Sequence, residues 1–212
     1  MLTLTPTPAL SLAALMPTLE LVRRHARARR HLMQHGSGFY DETVQRNYTA
    51  SETSLTLLLE HVLAPMLDQR DEAVNATEQL QLAVRVLDSL IQVVTPQDQA
   101  VPQVSVAPGR RCLMPQQDAA LLVQVTLAVV QAALLNDALF LVVSMPRQAD
   151  AEVVVEVEAD TLGLAGEDAE ARCFQEQLAA SLAAVGGSMQ TEVRPEGSLV
   201  TIRLPITTLK VA

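Results

Sequence analysis

The chain has 212 residues, of which 49% are hydrophobic and only 2% aromatic, with two Tyr, three Phe and no Trp. This length accommodates one large domain or two small ones with a substantial core, and the scarcity of aromatic side chains argues against a stacking platform for single-stranded nucleic acid. The net charge of −9 and the pI near 4.9 argue against non-specific nucleic-acid binding, which requires clustered positive charge.

Motifs for phosphate loops, metals and membranes are missing from the sequence. Neither GxxxxGK(S/T) nor GxGxxG occurs among the eight glycines. Cys112 and Cys173 fit no metal-ligand spacing, so we expect two reduced thiols, no bound metal and a cytoplasmic location. The most apolar stretch, residues 119–135, contains Gln124 and Gln131, which predicts a buried helix and no membrane association.

The N-terminal part of the chain is predicted to be helical. A segment rich in Leu, Ala and Arg predicts a helix over residues 10–35. Residues 36–50 are predicted to form a loop. Thr49 and Glu52 have the spacing of a capping box, which predicts that a second helix begins there.

A helical hairpin is predicted over residues 51–96. Apolar residues recur every three or four positions from residue 55 to residue 94, as in a helical bundle or coiled coil. The polar residues 68–72 are either the tip of this hairpin or an exposed turn of one long helix. Because such a hairpin cannot cover its own apolar seam, we expect a homodimer with a four-helix bundle.

The remainder of the chain changes to short β-type segments that alternate with helices. The order of these segments predicts an α+β protein whose last part is an α/β sandwich, with helices on one face of a mixed sheet. The predicted strands are 101–107, 110–113, 138–144, 152–159, 188–194 and 198–204, and the predicted helices are 116–135 and 167–185. The predicted parts are 1–50 (an Arg-rich helix and loop), 51–96 (the hairpin) and 97–212 (the sandwich).

The end of the chain carries a family resemblance. A helix that ends in Gly186-Gly187, a strand, a turn at Gly197 and a strand that ends in Leu204-Pro205 resemble the closing elements of sensor histidine kinase cores. The resemblance extends over residues 51–206. It implies a dimerisation and phosphoacceptor hairpin that is followed by an ATP-binding domain.

The nucleotide-binding positions of that family carry other residues here. Ala132 aligns with the Mg²⁺-binding Asn, and a methyl group cannot ligate Mg²⁺, which requires oxygen. Ala159 aligns with the adenine-binding Asp, unless Asp160 replaces it by a one-residue slip, and Thr161 stands in place of a glycine. The segment between Gly163 and the last helix is too short for an ATP lid. We therefore expect a degenerate kinase core with no ATP-dependent kinase activity and no cofactor.

A degenerate core of this kind is similar to the two-domain histidine phosphotransferases, which carry a phosphoryl group between the aspartates of receiver domains. This chemistry requires an exposed imidazole on a rigid helix. His61 is the candidate acceptor and Glu60 a neighbouring carboxylate, because Glu-His-x-x-x-Pro approaches the acceptor motif of the family. His31 is the second candidate. The alternative interpretation of His61 is a partly exposed helix histidine in a bundle, and that of His31 is a solvated helix face.

An arginine-rich face of the first helix is a candidate docking surface. Arg23, Arg27 and Arg30 share one face of a helix and would suit the acidic surface of a receiver domain or a sensor kinase. The alternative is a solvated face that balances an acidic chain. Two other functions stay open: a non-catalytic dimeric adaptor or inhibitor that binds a response regulator or a kinase, and an unrelated dimeric helical scaffold.

Overall fold

The fold consists of a layer of helices packed on one face of a sheet. A computed structural model describes residues 12–34, 41–60, 64, 72–95, 99–144, 146–149, 152–161 and 169–205. The helices are α1 (Leu12–Gln34), α2 (Glu42–Leu58), α3 (Ala76–Val94), α4 (Gln116–Leu135) and α5 (Ala169–Ala183). The strands are β1 (Ala73–Asn75), β2 (Gln103–Val106), β3 (Leu113–Pro115), β4 (Phe140–Val143), β5 (Arg147–Ala149), β6 (Glu152–Ala159), β7 (Ser188–Arg194) and β8 (Gly197–Pro205).

The second helix begins earlier than the sequence predicted. Asp41 caps α2, since its Oδ1 accepts hydrogen bonds from Thr43 N at 2.8 Å and Val44 N at 3.2 Å. Thr49 therefore lies inside the helix, and its hydroxyl donates to a backbone carbonyl one turn earlier at 2.9 Å. The predicted capping box is wrong, and the predicted loop over 36–50 is wrong from residue 42 onward.

A short strand separates α2 from α3, so the alternative of one long helix through residues 68–72 is wrong. Strand β1 pairs antiparallel with β3. At the two ends of this pair, Ala76 N donates to Cys112 O and Gln116 N donates to Glu72 O, both at 2.9 Å. The predicted hairpin tip lies outside the described residues, apart from Glu72.

Helix α3 packs against two parts of the molecule. It lies along α2 on one side, and it also contacts α4 and β2. The buried side chains of α2 and α3 belong to the same hydrophobic core as those of α4 and the sheet. Leu55 and Leu58 contribute to this core from α2, and Leu80 and Leu87 contribute from α3.

The predicted α/β sandwich with a mixed sheet is confirmed. The strand order is β2-β4-β6-β8-β7, and β5 pairs with the start of β6. Strands β2 and β4 are parallel, and the other pairs of this sheet are antiparallel. The strand predicted over 110–113 is observed later, as β3, and β1 and β5 were not predicted.

Helices α3, α4 and α5 pack on the sheet and bury the side chains that face them. Along β6, Val155 and Val157 are buried, while Glu156 is partly exposed and Glu158 is exposed. Helix α4 is buried on nearly all sides, with fifteen of its twenty residues inside. It is long and apolar enough to cross a membrane, but 78% of its most apolar window is buried inside the protein. This agrees with the predicted core helix.

Candidate functional site

Two glutamines of α4 fasten α1 to the sandwich. Pro17 has no backbone N–H and interrupts the helical hydrogen bonds of α1. Gln131 Nε2 donates to Pro17 O at 3.0 Å, and Gln124 Oε1 accepts from Thr18 N at 3.2 Å. Gln124 Nε2 also donates to Thr18 Oγ1 at 2.5 Å. The sequence showed both glutamines only as polar interruptions of an apolar helix, and their seven-residue spacing on one face was the signal of a shared partner.

The position that aligns with the Mg²⁺-binding Asn presents no side-chain oxygen. Ala132 follows Gln131 on α4, and its carbonyl oxygen accepts from Asn136 Nδ2 at 2.8 Å and from Asn136 N at 3.1 Å. The Asn136 amide is therefore turned back onto the end of its own helix, and the Gln131 amide is bound to α1. Across the part of the chain that the structure describes, no three His, Cys, Asp or Glu side chains gather as a metal site.

Asp160, which would replace the adenine-binding Asp after a one-residue slip, is bound to a neighbouring strand. Its Oδ1 accepts from Leu139 N at 2.9 Å and from Phe140 N at 3.1 Å, at the start of β4. Ala159, one residue earlier, is only 2% exposed. The carboxylate therefore stabilises the end of the sheet. Gly163 lies outside the described residues.

The candidate histidines lie in different environments. His61, the first candidate acceptor, lies outside the described residues, while Glu60 is exposed just beyond the end of α2. His31 is exposed in the last turn of α1. His25, less than two turns earlier, is only 7% exposed, and its ring stacks on Tyr48 of α2 with the centroids 4.7 Å apart. The sequence did not distinguish His25 from its exposed neighbours.

The predicted arginine face of α1 is exposed. Arg23, Arg27 and Arg30 are all exposed, but Arg23 Nη2 lies 2.6 Å from Glu20 Oε2, and Arg24 Nε lies 3.1 Å from Glu20 Oε1. Partial burial raises the pKa of Glu20, but the hydrogen bonds and charges of Arg23 and Arg24 outweigh it and hold that pKa below its usual value. No acidic residue of the described chain forms an ion pair with Arg27 or Arg30.

Solved structures resemble the protein over most of its length. A bacterial phosphotransferase matches with a TM-score of 0.51 and 11% identity, over 92% of this chain and 93% of its own. The blue-light activated histidine kinase EL346 of Erythrobacter litoralis matches with a TM-score of 0.50 and 15% identity, over 89% of this chain and 64% of its own. The chain has a histidine kinase-like fold.

A shorter histidine kinase domain also matches part of the chain. The ATP-binding domain of PrrB from Mycobacterium tuberculosis is matched over 98% of its length by 65% of this chain, with 19% identity and a TM-score of 0.47. No protein-family model and no curated protein matches the chain. At these identities the similarity concerns the fold alone.

Proposed function

We propose that the protein is a two-component-type phosphotransferase that does not bind ATP and passes a phosphoryl group between the aspartates of receiver domains. One observation carries the proposal. The chain has a histidine kinase-like fold, yet Ala132 and the buried Ala159 stand where the resembling family binds Mg²⁺ and adenine. A protein with this fold that lacks the Mg²⁺ and adenine ligands still presents surfaces to which other proteins can bind.

The environment around the aligned positions supports the loss of ATP binding. Helix α1 is bound to α4 through Gln124 and Gln131, so part of the surface of α4 is covered by the chain itself. The carboxylate of Asp160 already accepts two backbone hydrogen bonds. The amides of Gln124 and Gln131 and the carboxylate of Asp160 therefore form hydrogen bonds within the protein.

The transfer itself is proposed at His61. A nitrogen of the neutral imidazole attacks the phosphorus of a receiver's aspartyl phosphate, an N–P bond forms, and the P–O bond to the aspartate breaks and releases its carboxylate. The second receiver's aspartate reverses these steps. Glu60, which is exposed beside His61, would orient the ring. His31 is the second proposed acceptor, since it is exposed on α1.

Docking of the receiver is proposed on the arginine face of α1. Arg27 and Arg30 lack ion-pair partners among the described residues and are exposed, so their charge is available to an acidic surface. Arg23 shares the face, although Glu20 partly neutralises its charge.

We also propose that the protein is a homodimer. Its mass in light scattering would then be twice the chain mass of 22.9 kDa.

An adaptor that transfers nothing is the second candidate function. It is favoured by the burial of His25, which keeps one of the two described imidazoles away from a receiver. An adaptor would bind a receiver or a kinase through the same arginine face. Detection of phosphoryl label on the chain separates the two functions, because an adaptor acquires none.

To test the proposal, the protein is incubated in parallel with two different phosphoryl donors. We expect label from a ³²P-phosphorylated receiver domain to appear on the chain, and none from [γ-³²P]ATP with Mg²⁺. The double variant Arg27→Glu/Arg30→Glu should slow the transfer at least about tenfold, whereas Arg46→Glu, an exposed arginine on α2, should not. Label from ATP, or equal rates for both charge reversals, would contradict the proposal.

A further inference from the structure

The contact between α1 and α2 buries two polar atoms for which the described part of the chain provides no hydrogen-bond partner. His25 of α1 stacks on Tyr48 of α2, with 27° between the ring planes. His25 Nε2 and the Tyr48 hydroxyl are buried and have no hydrogen-bond partner among the described residues, and the same holds for the Ser51 hydroxyl of α2. Unpaired buried polar groups are rare, because each loses its hydrogen bonds to water and gains none. Two of them, on the stacked rings of His25 and Tyr48, mark a contact between α1 and α2 that lacks hydrogen bonds.

The other attachment of α1 is fully satisfied. Near its start, Pro17 and Thr18 are bound to Gln131 and Gln124 of α4 by three buried hydrogen bonds. Helix α1 is therefore held by buried hydrogen bonds at Pro17 and Thr18, whereas from His25 onward it is held by ring stacking and by the burial of Ala28 and Leu32. The part of α1 from His25 onward carries Arg27, Arg30 and His31.

Two charged groups act on the His25 ring. Burial lowers its pKa from the usual value of 6.5, and Arg29 of α1 lowers it further, whereas Glu52 of α2 raises it. The other helices packed on α1 do not contribute to this shift. Their charged residues are Glu78, Arg85 and Asp88 in α3 and Asp118 in α4.

We propose that His25 and Tyr48 form a proton-responsive joint, at which protonation of His25 releases the C-terminal part of α1 from α2. The released state binds a proton on His25 more readily than the packed state, since it returns the ring to water. Packing of α1 on α2 is therefore most favourable above pH 6.5 and weakens as the pH falls below that value. This joint goes beyond the proposed transfer, because it controls how the Arg27 and Arg30 face is presented.

Tyrosine fluorescence reports on the joint directly. The chain has no Trp and two Tyr, so in a Tyr40→Phe background the emission comes from Tyr48 alone. We expect this emission to change between pH 8 and pH 5.5 and to remain flat over the same range in His25→Leu, which keeps an apolar side chain against Tyr48. The matched control is His31→Gln, an exposed histidine of the same helix, which should retain the full change.

Charge variants keep the test decisive if His25→Leu folds poorly. Glu52→Gln should lower the midpoint of the emission change and Arg29→Gln should raise it, each by about half a pH unit, as expected of a partly exposed charge. Hydrogen exchange of the α1 amides after residue 25, corrected for intrinsic rates, should rise at the lower pH while the amides near Thr18 stay protected. A flat wild-type emission, or midpoints that shift in the same direction in both variants, would overturn the proposal.

Discussion

Gln124 of α4 holds Thr18 of α1 with both atoms of its amide, Oε1 on the Thr18 N–H and Nε2 on the Thr18 hydroxyl, and both residues are at most 1% exposed. The N–H lies next to Pro17, where the helical hydrogen bonds of α1 are interrupted. A polar pair in an otherwise apolar contact fixes one position of α1 on α4, since any slip would leave buried groups unpaired. This pair therefore sets the firm attachment of α1.

We expect Gln124→Ala to lower the free energy of unfolding by about 2 kcal/mol, because the Thr18 N–H and hydroxyl would then be buried without partners. Urea denaturation followed by circular dichroism measures this. Gln92→Ala, which changes an exposed glutamine of α3, is the matched control and should stay within about 0.5 kcal/mol of wild type. Equal losses in the two variants would show that the pair does not stabilise the fold.

The turn between β7 and β8 depends on a glycine that touches the backbone of β6. Gly197 has a φ of +150°, and a Cβ there would overlap Ala159 O. We expect Gly197→Ala to lower the free energy of unfolding by about 3 kcal/mol, since backbone cannot move aside as a side chain can. Gly186→Ala, at a φ of +78° but only in ordinary contact with Pro205, should cost about 1 kcal/mol. The reverse order would contradict this packing.

The partly buried carboxyl group of Asp88 makes the free energy of unfolding depend on pH. It accepts a hydrogen bond from the backbone of Val104 in the edge strand β2. Partial burial raises the pKa of Asp88 above 3.8, and this outweighs the hydrogen bond, which lowers it. The ionised carboxylate therefore destabilises the fold at neutral pH, and this penalty disappears as the pH falls below 3.8.

We accordingly expect Asp88→Asn, which keeps an acceptor for Val104 N, to be up to about 1 kcal/mol more stable than wild type at pH 7. The advantage should shrink as the pH falls toward 3.8. Asp88→Ala is the control, since it removes the acceptor and should be less stable than Asp88→Asn by about 1 kcal/mol. Thermal unfolding at several pH values measures both, and a wild type that is the most stable of the three at pH 7 would contradict the sign.

Nucleotide binding should be absent. We expect isothermal titration with Mg²⁺-ATP or Mg²⁺-ADP to give no saturable heat with wild type, because Ala132 offers no ligand oxygen and Ala159 is buried in the sheet. The variant Ala132→Asn should not restore binding, since it changes only one of these positions. A saturable isotherm with wild type would contradict the loss of the nucleotide site.

Local patterns predicted the sheet and the long helices well. The alternation of Val and Glu gave β6 its observed bounds, Glu152–Ala159, and Ser188–Arg194 was likewise predicted as observed. Strand β1 was missed because Ala73–Asn75 continues the helical spacing of apolar residues, and its pairing partner β3 lies far along the chain. The start of α2 was misplaced because Thr49 and Glu52 match a capping box, while the cap is Asp41.

The candidate site was predictable only in part, because the sequence pattern of one helix does not show which residues of other elements pack on it. Helical spacing placed Arg23, Arg27 and Arg30 on one exposed face, which the structure shows. Spacing could not show that His25 is buried, because its burial depends on Tyr48 from another helix. The partner of Gln124 was equally hidden, since Thr18 lies more than a hundred residues away in the sequence.

The most direct test of the central claim is transfer of label from a ³²P-phosphorylated receiver domain to the chain, followed by the chemical stability of the product. We expect an acid-labile, base-stable label that is absent from His61→Ala and retained in His31→Ala, with both variants folded by circular dichroism. Absence of label on wild type from every receiver offered, or label that persists undiminished in His61→Ala, would contradict the account.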